Sequence, residues 1–134
     1  MDGRPRSLRL APGPSRVRGD WAERRALALL RAQGWWLLSR NWRCRWGELD
    51  LVLAKPRRLL LVEVKGRSTG NRDGDGRGAL RAAKRRRLER AWRCWLCAHP
   101  EQAELPVELV AALVPLPSGG GRPEQPVRWI RLEI

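Results

Sequence analysis

Three carboxylates and one lysine recur at alternating positions in two consecutive apolar stretches. Glu48 and Asp50 lie in the first stretch, and Glu63 and Lys65 lie in the second. A short polar segment with a proline, residues 55–58, separates the stretches, which is typical of a β-hairpin. Because strand side chains alternate between faces, all four charged residues are expected on one face of the hairpin.

If residues 55–58 form the loop, Ala54 pairs with Leu59. Counting back places Asp50 opposite Glu63, and Glu48 opposite Lys65. Two carboxylates opposed across a strand pair repel each other. A divalent cation between Asp50 and Glu63 would relieve that repulsion, and oxygen-only ligands suit Mg²⁺ or Mn²⁺. The alternative is an exposed hairpin face with two ordinary salt bridges, and the pattern leaves both open.

The segment before the hairpin predicts a helix over residues 19–33. Asp20 is the expected N-cap, and Gly34 stands where a C-cap glycine belongs. Glu23 falls on the apolar stripe of this helix and therefore needs a partner. That partner is either an arginine in a structural ion pair or the acidic cluster of the hairpin.

A second helix is predicted over residues 77–99. Lys84 lies in the middle of its apolar face, where a cation is costly unless it reaches an anion or the rim. Arginines, Arg81 and Arg85 among them, cover the remaining surface and suit phosphate contacts. The apolar face consists of Leu80, Leu88, Ala91, Trp92 and Trp95.

The other predicted elements are strands, over residues 35–42, 107–114 and 127–134. The third of these is expected at a sheet edge, and 107–114 is expected to be buried on both faces. The order helix, three strands, helix, one or two strands predicts an α/β fold with a mixed sheet flanked by helices. The tryptophans near the hairpin are expected in core or rim packing, with base stacking as the alternative.

Composition limits the class of protein. The 134 residues fit one domain, 19–134, preceded by a flexible basic arm, 1–18. A net charge of +14 favours a polyanionic partner, most plausibly nucleic acid. Three cysteines and no apolar run of membrane length indicate a cytoplasmic protein without a membrane partner. Cys94-x-x-Cys97 with His99 could bind zinc, but without a second cysteine pair we interpret these residues as packing.

The motifs together resemble a known family. Gly-Glu-Leu-Asp-Leu at 47–51, Val-Glu-Val-Lys at 62–65, Arg-Asn-Trp-Arg at 40–43 and the upstream Glu23 look like the YraN-like family. Its members are small bacterial proteins described as predicted endonucleases of the PD-(D/E)xK superfamily, similar to archaeal Holliday junction resolvases. The resemblance covers residues 19–134 and departs from the family pattern at Ala22, Gly66 and Glu108.

The resemblance implies a restriction-endonuclease-like αβββαβ core and a metal-dependent nuclease site. Glu23, Asp50, Glu63 and Lys65 match catalytic positions, the three acids as Mg²⁺ or Mn²⁺ ligands and Lys65 as the residue that orients the attacking water. The implied nucleic-acid-binding residues are Arg67, Lys84, Arg81 and Arg85, with Glu48 as an accessory acid. The implied substrate is DNA recognised by structure rather than sequence. Resolvase-like nucleases often pair, so a homodimer is possible by analogy, but the sequence does not reveal the oligomeric state.

Two further functions remain open at this stage. A non-catalytic nucleic-acid-binding protein could retain the nuclease fold and the same basic face. A basic interaction protein that binds an acidic protein or ribosomal RNA is the third alternative. Metal-dependent cleavage would distinguish the nuclease from both.

Overall fold

The computed structural model describes residues 14–67, 82–117 and 125–133, with side chains from residue 19 onward. Two helices and five strands follow one another along the chain. They are α1 (Pro14–Ala32), β1 (Trp36–Cys44), β2 (Gly47–Lys55), β3 (Arg58–Arg67), α2 (Ala82–Ala98), β4 (Val107–Pro115) and β5 (Arg128–Leu132). A single 3₁₀ turn, Pro100–Gln102, lies between α2 and β4. No helix in these ranges is long and apolar enough to cross a membrane.

The strands form one sheet in the order β1-β2-β3-β4-β5. β3 and β4 run parallel, which their connection through α2 permits, and the other neighbours are antiparallel. This is the mixed α/β architecture of a restriction-endonuclease-like core, and it confirms the predicted fold class. β5 is an edge strand as expected, and β1 forms the opposite edge.

Each face of the sheet is covered by one helix. Ala22, Ala26, Leu27 and Leu30 of α1 pack with the β2 and β3 side chains that point to one face, such as Leu51. The buried residues of α2 pack with those on the other face, such as Val52 and Leu61. Alternation from Leu51 to Ala54 of β2 thus supplies two separate cores, and Leu49 joins the α2 core. Leu88, Ala91, Trp92 and Trp95 form the buried face of α2, as predicted, while Leu80 lies outside the described residues.

The end of α1 is set by Gly34. The Gly34 N–H donates to the Arg31 carbonyl at 3.0 Å, and the Trp35 N–H donates to the Leu30 carbonyl at 3.1 Å. These two bonds are the Schellman arrangement, which requires a left-handed residue, and Gly34 has φ +91°. The predicted C-cap is therefore confirmed.

The predicted start of α1 is wrong. The helix already includes Pro14, so Asp20 lies inside it and cannot cap it. Asp20 instead pairs with Arg24 and Arg40. The helix thus takes in the last five residues of the predicted arm, whereas residues 1–13 lie outside the described part of the chain.

The other boundaries shift by one or two residues. β1 begins at Trp36 and continues to Cys44, because Arg43 and Cys44 still pair with Glu48 and Gly47. The described part of α2 ends at Ala98. Its predicted first residues, 77–81, lie outside the described residues.

Candidate functional site

The β2–β3 hairpin has the predicted register, but its strands separate near the acidic residues. Ala54 pairs with Leu59, and the ladder ends at Leu51–Val62. From there β3 continues alone with β4 as far as Arg67. The predicted pairings of Asp50 with Glu63 and of Glu48 with Lys65 lie beyond the ladder. In this gap the Val64 N–H donates to Asp50 Oδ2 at 2.8 Å, so a carboxylate replaces a backbone acceptor.

Asp50 is a partly buried acid with a perturbed pKa. Its pKa is raised from 3.8 to about 6, chiefly by burial and in smaller part by the charges of Glu23 and Glu48. The hydrogen bond from Val64 and the charge of Lys84 act in the opposite direction. Asp50 therefore lies within electrostatic reach of three acids, Glu63 included, and one lysine.

Glu63 is the more strongly perturbed acid. Burial, followed by the charge of Asp50, raises its pKa from 4.5 to about 8, against the lowering effect of Lys84. Its Oε1 is buried and has no hydrogen-bond partner among the described residues. A buried acceptor without a partner is costly, and perturbed acids of this kind are typical of functional sites.

Glu23 reaches the site from α1 but is held by two residues of β1. Its Oε1 accepts hydrogen bonds from Arg40 Nε at 3.1 Å and from Asn41 Nδ2 at 3.0 Å. Its side chain is 13% exposed, and its charge raises the pKa of Asp50. Both alternatives for Glu23 thus hold, the arginine pair and the approach to the acidic cluster.

The basic residues of the site come from β3 and α2. The side chain of Lys84 is exposed rather than buried, yet its charge lowers the pKa of both Asp50 and Glu63. This explains how a lysine is accommodated on the apolar stripe of α2. Lys65 follows Glu63 by two residues on β3, so it shares the face of Glu63 and is partly buried. Arg67 ends the same strand.

Of the two remaining predicted phosphate contacts, the structure describes only Arg85. Arg85 is exposed and lines, with Leu61 and Trp92, a cavity of about 210 Å³ between α2 and the sheet. Arg81 lies outside the described residues. The proposed accessory acid, Glu48, pairs with Arg43 at 3.5 Å.

The tryptophans divide between packing and cation contacts. Trp42 packs against the α2 core and Trp35 against the α1 core, as predicted. Trp46, in the β1–β2 turn, contacts the guanidinium groups of Arg45 and Arg90, with the Cζ atoms 4.5 and 4.9 Å from its ring centroid. Trp36, by contrast, is 47% exposed at the sheet edge.

Of the residues near the end of α2 that we interpreted as packing, His99 packs, Cys94 is partly buried and Cys97 is exposed. The His99 ring stacks on Trp95 at 4.0 Å, and its Nδ1–H donates to the Trp95 carbonyl. Cys44 packs against the α2 core and accepts a hydrogen bond from the Trp46 N–H. All three cysteines are free thiols.

Asp50 and Glu63 supply the kind of oxygen ligands that suit a divalent cation. They repel each other, and Glu63 Oε1 has an unused acceptor site. Mg²⁺ is commonly held by one or two carboxylates together with waters and substrate phosphates, so two acids suffice. Within the described ranges no three His, Cys, Asp or Glu side chains are grouped to hold a metal. Glu23 as a direct third ligand stays a prediction.

Sequence reasoning did not assign roles to Arg40 and Asn41. The available signal was the carboxylate on the apolar stripe of α1, which required a partner of opposite charge. What the sequence could not show is that one arginine would serve both Asp20 and Glu23. Asn41 adopts φ +51°, a conformation that asparagine tolerates better than most residues.

Comparison with known proteins identifies the family. The model of the "Uncharacterised protein family UPF0102" matches residues 22–112. The chain is 49% identical over 116 residues to a UPF0102 protein of Synechococcus sp. (strain CC9902), covering 87% of this chain and 93% of that protein. It is 50% identical over 116 residues to one of Prochlorococcus marinus (strain MIT 9303), covering 87% and 89%. The chain therefore belongs to the UPF0102 family, the family that the YraN-like motifs predicted.

Proposed function

We propose that this protein is a metal-dependent nuclease that hydrolyses phosphodiester bonds in DNA. The observation that carries the proposal is the Asp50–Glu63 pair at the point where β2 and β3 separate. Two mutually repelling, partly buried acids, one with an oxygen that has no hydrogen-bond partner among the described residues, do not help the chain to fold. The resemblance to the PD-(D/E)xK superfamily supports the same conclusion.

In the proposed reaction, Asp50 and Glu63 hold Mg²⁺ or Mn²⁺. The cation would supply Lewis-acid polarisation of the scissile phosphate. Glu63 must lose its proton to bind a cation, because its pKa of about 8 keeps it protonated at neutral pH. Cation affinity is therefore expected to rise with pH.

The basic residues of the site bind the phosphate and orient the nucleophile. Lys65, on the same face as Glu63, orients the attacking water and stabilises negative charge that develops on the phosphate. Lys84, whose charge already acts on both acids, contacts the neighbouring backbone, and Arg67 extends that surface. These residues would contact backbone phosphates rather than base edges. We therefore propose that the protein recognises the structure of its DNA substrate instead of the base sequence.

Nuclease assays on branched, flapped, single-stranded and linear DNA with Mg²⁺ or Mn²⁺ test the proposal. Asp50→Asn and Lys65→Ala should each abolish cleavage. Glu104→Gln, a change at an exposed acid distant from β2 in sequence, should cleave like the wild type. If Asp50→Asn and Lys65→Ala both retain full cleavage, the assignment of the site is wrong.

A second candidate is a nucleic-acid-binding protein that does not cleave. The observation that favours it is the attachment of Glu23 to Arg40 and Asn41, which engages one of the three predicted ligands. Such a protein would bind DNA with strong salt dependence and show no cleavage with any divalent cation. Lys65→Ala would then leave its affinity almost unchanged.

A further inference from the structure

The turn that joins β2 to β3 carries a second group of charges, away from the acids. Two cations lie against the Trp35 ring, with Lys55 Nζ at 4.8 Å and Arg58 Cζ at 5.0 Å from its centroid. Arg57 is exposed at the tip of the same turn. We call Trp35, Lys55, Arg57 and Arg58 the hairpin patch.

The cations of the hairpin patch are not neutralised by acids. In the part of the chain that the structure describes, neither Lys55, Arg57 nor Arg58 forms an ion pair. Other exposed arginines do, for example Arg24 with Asp20 and Arg93 with Glu89. Three neighbouring cations without a counter-charge repel one another, and an anionic partner would remove that repulsion.

The backbone at the tip gives a second reason to expect a partner. Arg57 has φ +65°, in the left-handed region that glycine or asparagine adopts more easily in a tight turn. An arginine in this conformation is strained, and a strained residue at an exposed tip suggests a role for its side chain. Here the conformation places a third cation beside Lys55 and Arg58.

The hairpin patch is separated from the acids in two ways. Asp50 and Lys55 lie five residues apart on β2, on the order of 17 Å along an extended strand. The second acid also lies on the other face of the sheet, because alternation along β3 places Glu63 on the α2 face with Leu61, while Lys55 shares the α1 face with Leu53. One segment of duplex lying against the acids would not also lie flat on the hairpin patch.

We infer that the hairpin patch is a second nucleic-acid contact surface, which binds backbone phosphates of a segment other than the one at the acids. This inference rests on the proposed function for the identity of the polyanion. Lys55 and Arg58 both lie against the Trp35 ring, where they compete with a base for its surface, and the contact is made by ammonium and guanidinium donors. An anionic membrane is disfavoured because Trp35 packs against the α1 core and is not free to insert.

Two variants of equal net charge test the inference. The first, Lys55→Gln/Arg57→Gln/Arg58→Gln, removes the cations of the hairpin patch. The control, Arg24→Gln/Arg93→Gln/Arg131→Gln, removes three arginines that are already paired with acids. Affinity for a 30-base-pair duplex is measured by fluorescence anisotropy over a range of salt, without divalent cations. Circular dichroism confirms that both variants are folded.

The hairpin-patch variant should bind less tightly, with a salt slope smaller by about 2 to 3, since each phosphate contact contributes about 0.9. The control variant should keep a slope close to that of the wild type. A two-colour assay, with donor and acceptor dyes on separate duplexes, should show that the wild type brings two duplexes together and that the hairpin-patch variant does not.

Three outcomes would overturn the inference. Equal losses of duplex affinity in both variants would show that binding depends only on net charge. Unchanged bridging by the hairpin-patch variant would show that the patch holds no second segment. Loss of binding to phosphatidylserine vesicles, with duplex binding unchanged, would assign the patch to membranes. All of these measurements need no cleavage, so absence of nuclease activity would refute the proposed function and leave this result standing.

Discussion

Replacing Glu63 by glutamine is expected to stabilise the fold at high pH. The pKa of Glu63 is raised from 4.5 to about 8 by burial and by Asp50, so the folded state binds its proton more tightly than the unfolded state. Stability from this group is therefore present at acidic pH and is lost as the pH rises through the folded pKa. Glutamine resembles the protonated carboxyl in shape and cannot ionise.

The size of the effect follows from the separation of the two pKa values. At about 1.36 kcal/mol per pH unit, ionisation of Glu63 alone would remove about 4 kcal/mol of folding free energy between pH 5 and pH 9. Because Asp50 ionises in the same range and shares the interaction, we expect a gain of about 2 to 4 kcal/mol for Glu63→Gln at pH 9. At pH 5 the variant and the wild type should differ by less than about 1 kcal/mol.

Urea denaturation at pH 5, 7 and 9, followed by tryptophan fluorescence in EDTA, measures this difference. Glu104→Gln, a change at an exposed acid, is the charge-matched control. Mg²⁺ at ten times its dissociation constant should raise the free energy of unfolding of the wild type by about 1.4 kcal/mol at pH 9. It should not change the free energy of unfolding of Glu63→Gln. The reasoning fails if Glu63→Gln is less stable than the wild type at pH 9, or if its pH profile matches that of the control.

Three further predictions concern residues that position the site. Arg40→Ala should destabilise the fold by about 1 to 3 kcal/mol, because Glu23, 13% exposed, loses a charged partner; urea denaturation against the wild type measures this. Gly34→Ala should lower the free energy of unfolding by about 1 to 2 kcal/mol, because Gly34 has a left-handed backbone conformation. Gly19→Ala should raise it by up to about 1 kcal/mol, because a Cβ at this position inside α1 meets nothing within 4 Å. Melting temperatures that move in the same direction for both variants would contradict this. Ser39→Ala should lower the free energy of unfolding by about 1 to 3 kcal/mol, because the buried Trp95 indole loses its hydrogen-bond acceptor. Equal stability of the variant and the wild type in urea would show that this hydrogen bond contributes nothing.

Much of the fold follows from local patterns in the sequence. Alternation in residues 47–55 and 58–67 predicts the hairpin and its register, since a slip by one residue would expose one of the two cores. Gly34 predicts the end of α1 because the Schellman turn needs a left-handed residue. The start of α1 was mispredicted because a polar residue that suits a cap, Asp20, is equally stable inside a helix when arginines pair with it.

The site was predictable in its residues but not in its contacts. The unfavourable opposition of Asp50 and Glu63 can be inferred from hairpin register, and their raised pKa values agree with it. The separation of β2 from β3 beyond Leu51–Val62 cannot be inferred from the sequence. It depends on the pairing of β3 with β4, which lies more than forty residues away along the chain. The attachment of Glu23 to β1 likewise depends on how α1 packs across the sheet.

The irregular outer strand has a consequence for solubility. β1 exposes one row of backbone groups, and such edges invite other chains to pair and aggregate. The register of β1 against β2 shifts between Leu37 and Ser39, and Asn41 adopts φ +51°, so the edge is not a flat template. Arg40 and Arg43 add charged side chains, each held by an acid, to the same edge. The residues that hold Glu23 therefore also protect an apolar sheet from edge-to-edge association.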